Sequence, residues 1–146
     1  MTFTAGGGDQ VRWDNSRNWS TEDLPMDGDA VDLDGRGANY AGTVELASLD
    51  LGDSGSLAVR QGFLGVTMLQ TGAGGSSIAL DRSGQFECDS FAGEGRLGVD
   101  LQAGRFRNRG QFSGLTTFQV SGGEAELAGG STGQTGSMTF GEGSTL

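Results

Sequence analysis

From Thr43 onward, apolar residues recur in short alternating stretches separated by glycine- and serine-rich turns. Five units of about 20 residues align, at 43–62, 63–84, 85–104, 105–123 and 124–143. Each unit opens with a short alternating strand, crosses a turn, runs through a second alternating strand and closes on glycine. The second strands carry the pairs Leu57/Val59, Ile78/Leu80, Val99/Leu101, Phe118/Val120 and Met138/Phe140. Apolar–any–apolar is the period-2 signature of a strand with one buried face. The first strands place Val44, Leu64, Phe86, Phe106 and Ala125 inward, then Leu46, Val66, Cys88, Asn108 and Leu127. Closing glycines fall at Gly62, Gly84, Gly104, Gly123 and Gly143, where a tight corner calls for φ values other residues avoid.

No helical period interrupts this pattern. Two strands per unit at one repeat length predict an all-β fold, a parallel β-solenoid (β-helix) of about five coils. An antiparallel sandwich or barrel also has short, evenly spaced strands. The near absence of Asn-Gly and Asp-Gly hairpin turns in the repeats favours the solenoid.

Residues 1–42 do not follow the repeat and read as an N-terminal cap or attachment segment; 43–146 read as the solenoid. A solenoid exposes a strand edge and an open core at each end, so terminal units are atypical. Trp13, Trp19 and Pro25 are the expected capping residues, with an aromatic ligand-binding face as the competing reading. Val31 and Leu33 look like the second strand of an incomplete first coil. At the other end, GEGSTL (141–146) reads as the start of a sixth coil. Its uncovered edge is expected to lie against more of the same chain or another subunit.

The run WDNSRNWSTEDLPMDGDAVDL, followed by YAGTVELASLDLGDSGSLAV, resembles the start of a widespread class of bacterial and phage β-helix proteins. The matching positions are Trp13, Asn18-Trp19-Ser20, Leu24-Pro25, Gly28-Asp29, Val31 and the run from Ser48 to Gly52. The resemblance implies a β-helix with an N-terminal cap and specifies no chemistry. Members are surface adhesins, autotransporter passengers, phage tail spikes and fibres, and polysaccharide-degrading enzymes.

Composition fits a thin core with many corners. Of 146 residues, 29 are glycine, one is proline, and none is histidine or lysine. The net charge of −10 argues against nucleic acid and anionic membranes, which need a basic face. Without histidine, His-dependent triads and zinc sites are excluded. Cys88, the one cysteine, reads as a small buried apolar position and cannot form an intrachain disulfide. No apolar run approaches the ~20 residues that span a bilayer, and MTFTAGGGDQ lacks the pattern of a secretory signal.

The remaining candidates favour structure over chemistry. Asp27, Asp29, Asp32 and Asp34 offer hard oxygen ligands for calcium, but their spacing fits neither an EF-hand nor a calcium-binding β-roll. Alternation places Asp32 and Asp34 outside, as solvated charge. The glycine-rich runs at 72–77 and 129–136 open no helix, so they are poor phosphate loops. Glu45, Glu87 and Glu126 share one outer column with Gly65 and Arg107, and glycosidases do use two carboxylates at a set separation. Arg105, Arg107 and Arg109 leave one strand beside acidic neighbours, which predicts an interstrand charge ladder.

The expected core stack is Val44, Leu64, Phe86 and Phe106 with Leu57, Ile78, Val99, Phe118 and Met138. No catalytic, cofactor or metal residues are expected. The reading is a non-enzymatic structural protein of a virion: a phage tail fibre or spike attachment region, or a shell-decorating subunit. Its expected partners are other subunits in an oligomer, with cell-surface glycan as a further candidate. A fragment of a secreted bacterial adhesin at the cell surface is the alternative. The leading part of a polysaccharide-cleaving tail spike is the third.

Overall fold

The computed structural model describes residues 1–110, 112–127 and 135–140, apart from the side chains of 112–116 and 135–140. Within them a short 3-10 turn, Ser16–Asn18, precedes nine strands: β1 (Ala30–Asp32), β2 (Gly37–Asp50), β3 (Ser56–Thr71), β4 (Ser76–Leu80), β5 (Gln85–Leu101), β6 (Arg105–Asn108), β7 (Phe112–Val120), β8 (Glu124–Leu127) and β9 (Thr135–Phe140). These strands pair in parallel, each with the next coil, in a stack of about five turns: a β-solenoid.

The coil has three faces. One ladder aligns Ala38, Leu57, Ile78, Val99, Phe118 and Met138. A second aligns Val44, Leu64, Phe86, Phe106 and Ala125. The third aligns Val31, Leu49, Leu69, Phe91 and Phe112. The alternating positions of the first two ladders therefore sit in the register the repeat predicts. Of the expected core stack, Val44, Leu64, Phe86, Phe106, Leu57, Ile78, Val99 and Phe118 are all buried. Met138 holds its place in the backbone register, and its side chain lies outside the described residues.

Two expectations need correction. The first four repeat units carry a third strand where the repeat suggests only two, and the corresponding stretch of the fifth lies outside the described residues. In β3 it bends from the second ladder at Thr67 and Met68 with no glycine to mark the corner, so that strand runs unbroken across all three faces. In the fourth repeat, by contrast, Gly110 stands at this corner between β6 and β7. The inward residues step from Val66 to Leu69, which breaks the alternation by one residue. For the same reason Val31 and Leu33 are not a second strand; β1 pairs with Ser48–Asp50 on the third face.

The corner glycines are needed for two different reasons. Gly62, Gly104 and Gly123 have φ of 81°, 83° and 77°, the left-handed region that glycine enters without strain. Gly84 has no such φ; there Arg82 takes the left-handed turn at φ 55°. Gly84 is required by proximity instead, because a Cβ would stand 2.1 Å from the Val59 carbonyl oxygen. Gly143 and residues 141–146 lie outside the described residues.

Residues 1–29 run along the first-coil edge of all three ladders. Phe3 N–H donates to the Asp32 carbonyl (2.8 Å) and Asp32 N–H to Met1 (2.9 Å) on the third face. Asn39 N–H donates to Val11 (2.6 Å) and Trp13 N–H to Asn39 (3.0 Å) on the first. On the second, Gly28 N–H donates to Glu45 (2.8 Å) and Ala47 N–H to Asp29 (2.9 Å). Isolated parallel bridges join Thr2 to Asp32 and Arg12 to Asn39, and the first continuous parallel strand begins at Ala30, ahead of residue 43.

Trp13 and Trp19 are buried, with ring centroids 4.7 Å apart. Phe3 meets Trp19 at 4.9 Å and Tyr40 meets Trp13 at 5.2 Å, all edge to face. Trp19 Nε1 donates to the Trp13 carbonyl (2.9 Å), so the indole N–H is satisfied inside. Asn18 is buried beside them: its amide donates to Asp9 and the Arg12 carbonyl and accepts from Gly7 N–H. Pro25 is buried as well.

Candidate functional site

The outer side of the second ladder gathers most of the paired charge. Its central column reads Glu45, Gly65, Glu87, Arg107, Glu126 in register. Successive positions are about 4.8 Å apart, so alternate members face each other across one coil. Arg107 reaches Glu126 at 3.0 Å and Glu87 at 3.8 Å. Arg105 reaches Glu126 at 3.1 Å and Glu124 at 3.7 Å, while Arg109 pairs with Glu87. The interstrand charge ladder predicted for these arginines is present.

The pairing limits the chemistry. The Arg107 guanidinium, then Arg105, hold the Glu126 carboxyl below its ordinary value. A glycosidase acid needs the opposite, a carboxyl raised so that it keeps its proton. Glu87 has only 14% of its side chain exposed and is held by two guanidinium groups. Such carboxylates are acceptors and charge partners.

Above this ladder the column has a gap. At Gly65 no side chain fills the outer position, which leaves a notch of about 150 Å³ lined by Glu45, Phe63, Thr67, Glu87, Asp89 and Arg109. The Phe63 ring leans into it: a Cβ on Gly65 would stand 3.0 Å from Cε1 and 3.2 Å from Cζ. Among the described residues no ion pair reaches Glu45. Sequence reasoning placed Gly65 in this column but gave no role to Phe63, Thr67 or Asp89. The usable signal was the single glycine in a column otherwise of charged residues.

The aspartates of the N-terminal segment do not converge. Asp27 accepts from Glu45 N–H (2.9 Å), Asp29 from Met26 N–H (2.8 Å) and Asp32 from Asp34 N–H (2.7 Å). Asp34 is exposed and 3.9 Å from Arg36. Among the described residues, no three acidic, cysteine or histidine side chains form a metal-ligand group. The glycine-rich run 72–77 turns the corner into β4, and its Gly74 N–H donates to the Asp53 carboxylate at 3.0 Å. The run 129–136 lies mostly outside the described residues.

Cys88 points into the core, where burial pushes its thiol up to about 11. Asn108, also buried, donates to its sulfur at 3.3 Å. Trp13 and Trp19 face the core rather than solvent, so they present no aromatic binding face. No helix among the described residues is long and apolar enough to cross a membrane. No protein-family model, curated protein or solved structure matches the chain.

Proposed function

We propose that the chain is a non-enzymatic structural element of a virion, the attachment region of a tail fibre or spike or a shell-decorating subunit. On this reading residues 1–29 are the cap from which a rod of coils grows in one direction. The observation that carries it is the backbone pairing of this segment with all three ladders at one end. A rod built to project needs such a finished start, because an open parallel edge recruits further strands. The ion-paired carboxylates on the second ladder support a structural over a catalytic role. Quantitative peptide mass spectrometry of cultures of the encoding organism tests the proposal. Peptides of the chain are expected to co-purify with density-banded virus particles. Their recovery in the cell-surface fraction instead would overturn it in favour of an adhesin.

A further inference from the structure

The charge column of the second ladder contains its own template for a binding site. Within it, Arg107 sits between Glu87 and Glu126, one coil above and one below. Both carboxylates contact its guanidinium, at 3.8 and 3.0 Å. Two coils earlier the same Glu–x–Glu arrangement recurs as Glu45, Gly65, Glu87, with the middle side chain missing. We propose that the Gly65 notch receives the guanidinium of an arginine carried by another protein chain.

Three features of the notch fit that ligand. Three carboxylates, Glu45, Glu87 and Asp89, face it against one cation, Arg109, so the pocket carries excess negative charge. Glu87 is already held by two arginines, but Glu45 is in no ion pair among the described residues and is exposed. The Phe63 ring forms a wall of the notch, and a planar guanidinium stacks on an aromatic face better than an ammonium does. The volume of about 150 Å³ suits a single side-chain head group and is too small for an extended chain. A partner's arginine can enter this notch whether the rod stands on a virion or on a cell.

Titration of the full chain with N-acetyl-arginine amide, followed by amide chemical shifts, tests it. The citrulline analogue, equal in shape and without charge, is the control. Saturable shifts confined to residues around Glu45, Phe63, Gly65 and Asp89 are expected for the arginine probe and not for citrulline. Glu45→Gln, on an exposed side chain, is expected to weaken binding about two- to fivefold, the upper part of the range for loss of one exposed ion pair. Gly65→Arg supplies the guanidinium from within the chain and is expected to abolish the response. A Cβ there asks the Phe63 ring and the Glu45 side chain, whose Cγ stands 3.3 Å away, to give by a few tenths of an ångström. Equal shifts from both probes, or an unchanged affinity in Glu45→Gln, would overturn the proposal.

Discussion

Replacing Phe106 by alanine removes the centre of a three-ring cluster. Phe106 is fully buried, stacked on Phe86 in the preceding coil at 5.6 Å and 16°, and edge-on to Phe118 at 5.4 Å and 74°. Losing the apolar transfer of the ring costs about 2 kcal/mol. Two aromatic contacts add about 1 kcal/mol each. The total of about 4 kcal/mol lies within the range for large-to-small core changes. In a domain of this size that lowers the melting temperature by about 8–16 °C. Coils contact only their neighbours, so the loss is expected to be local as well. Hydrogen exchange should show β2 and the first half of β3 still protected, while β5 and β6 open. Circular-dichroism melting with exchange mass spectrometry reads both effects. A melting temperature within a degree of the parent, or uniform loss of protection from β2 to β6, would refute the reasoning.

Other outcomes follow from the same contacts. The double substitution Trp13→Ser, Trp19→Ser opens the aromatic end of the core and should promote end-to-end association on size-exclusion chromatography; an unchanged elution volume would remove the capping role. Glu126 is lowered from its ordinary 4.5 by Arg107 and Arg105, so its stabilising pairs are intact above that value and are lost as pH falls through the lowered one. Denaturation midpoints from about pH 6 to about pH 3 should therefore fall more steeply in the parent than in Arg105→Gln, Arg107→Gln, and equal slopes would contradict the ladder's role. Cys88, with its thiol pushed up to about 11, should resist iodoacetamide at neutral pH until urea unfolds the chain. Rapid native alkylation would show that its coil opens.

Two of the three faces were legible because their inward residues alternate and their corners carry glycine. Leu57/Val59 and Leu64/Val66 announce themselves, and Gly62 marks the bend between them. The third face was hidden because only Thr67 and Met68 separate Val66 from Leu69, and neither residue signals a corner. Val31 and Leu33 were misplaced by the same missing face. The Arg–Glu ladder was readable once the register was known, since opposite charges one coil apart must meet. The notch was not, because it depends on where the Phe63 ring lies, and a strand pattern does not state a rotamer.

The central claim is the parallel, coil-to-coil register, and scalar couplings across hydrogen bonds measure it directly. The structure predicts couplings from Gln102 N to the Leu80 carbonyl, from Ser121 N to Leu101, and from Ser77 N to Gly55. Each links a residue to one about a full coil earlier, and none is reciprocated, as parallel pairing requires. Reciprocal couplings between residue pairs whose numbers converge on a turn would mark antiparallel hairpins and contradict the solenoid.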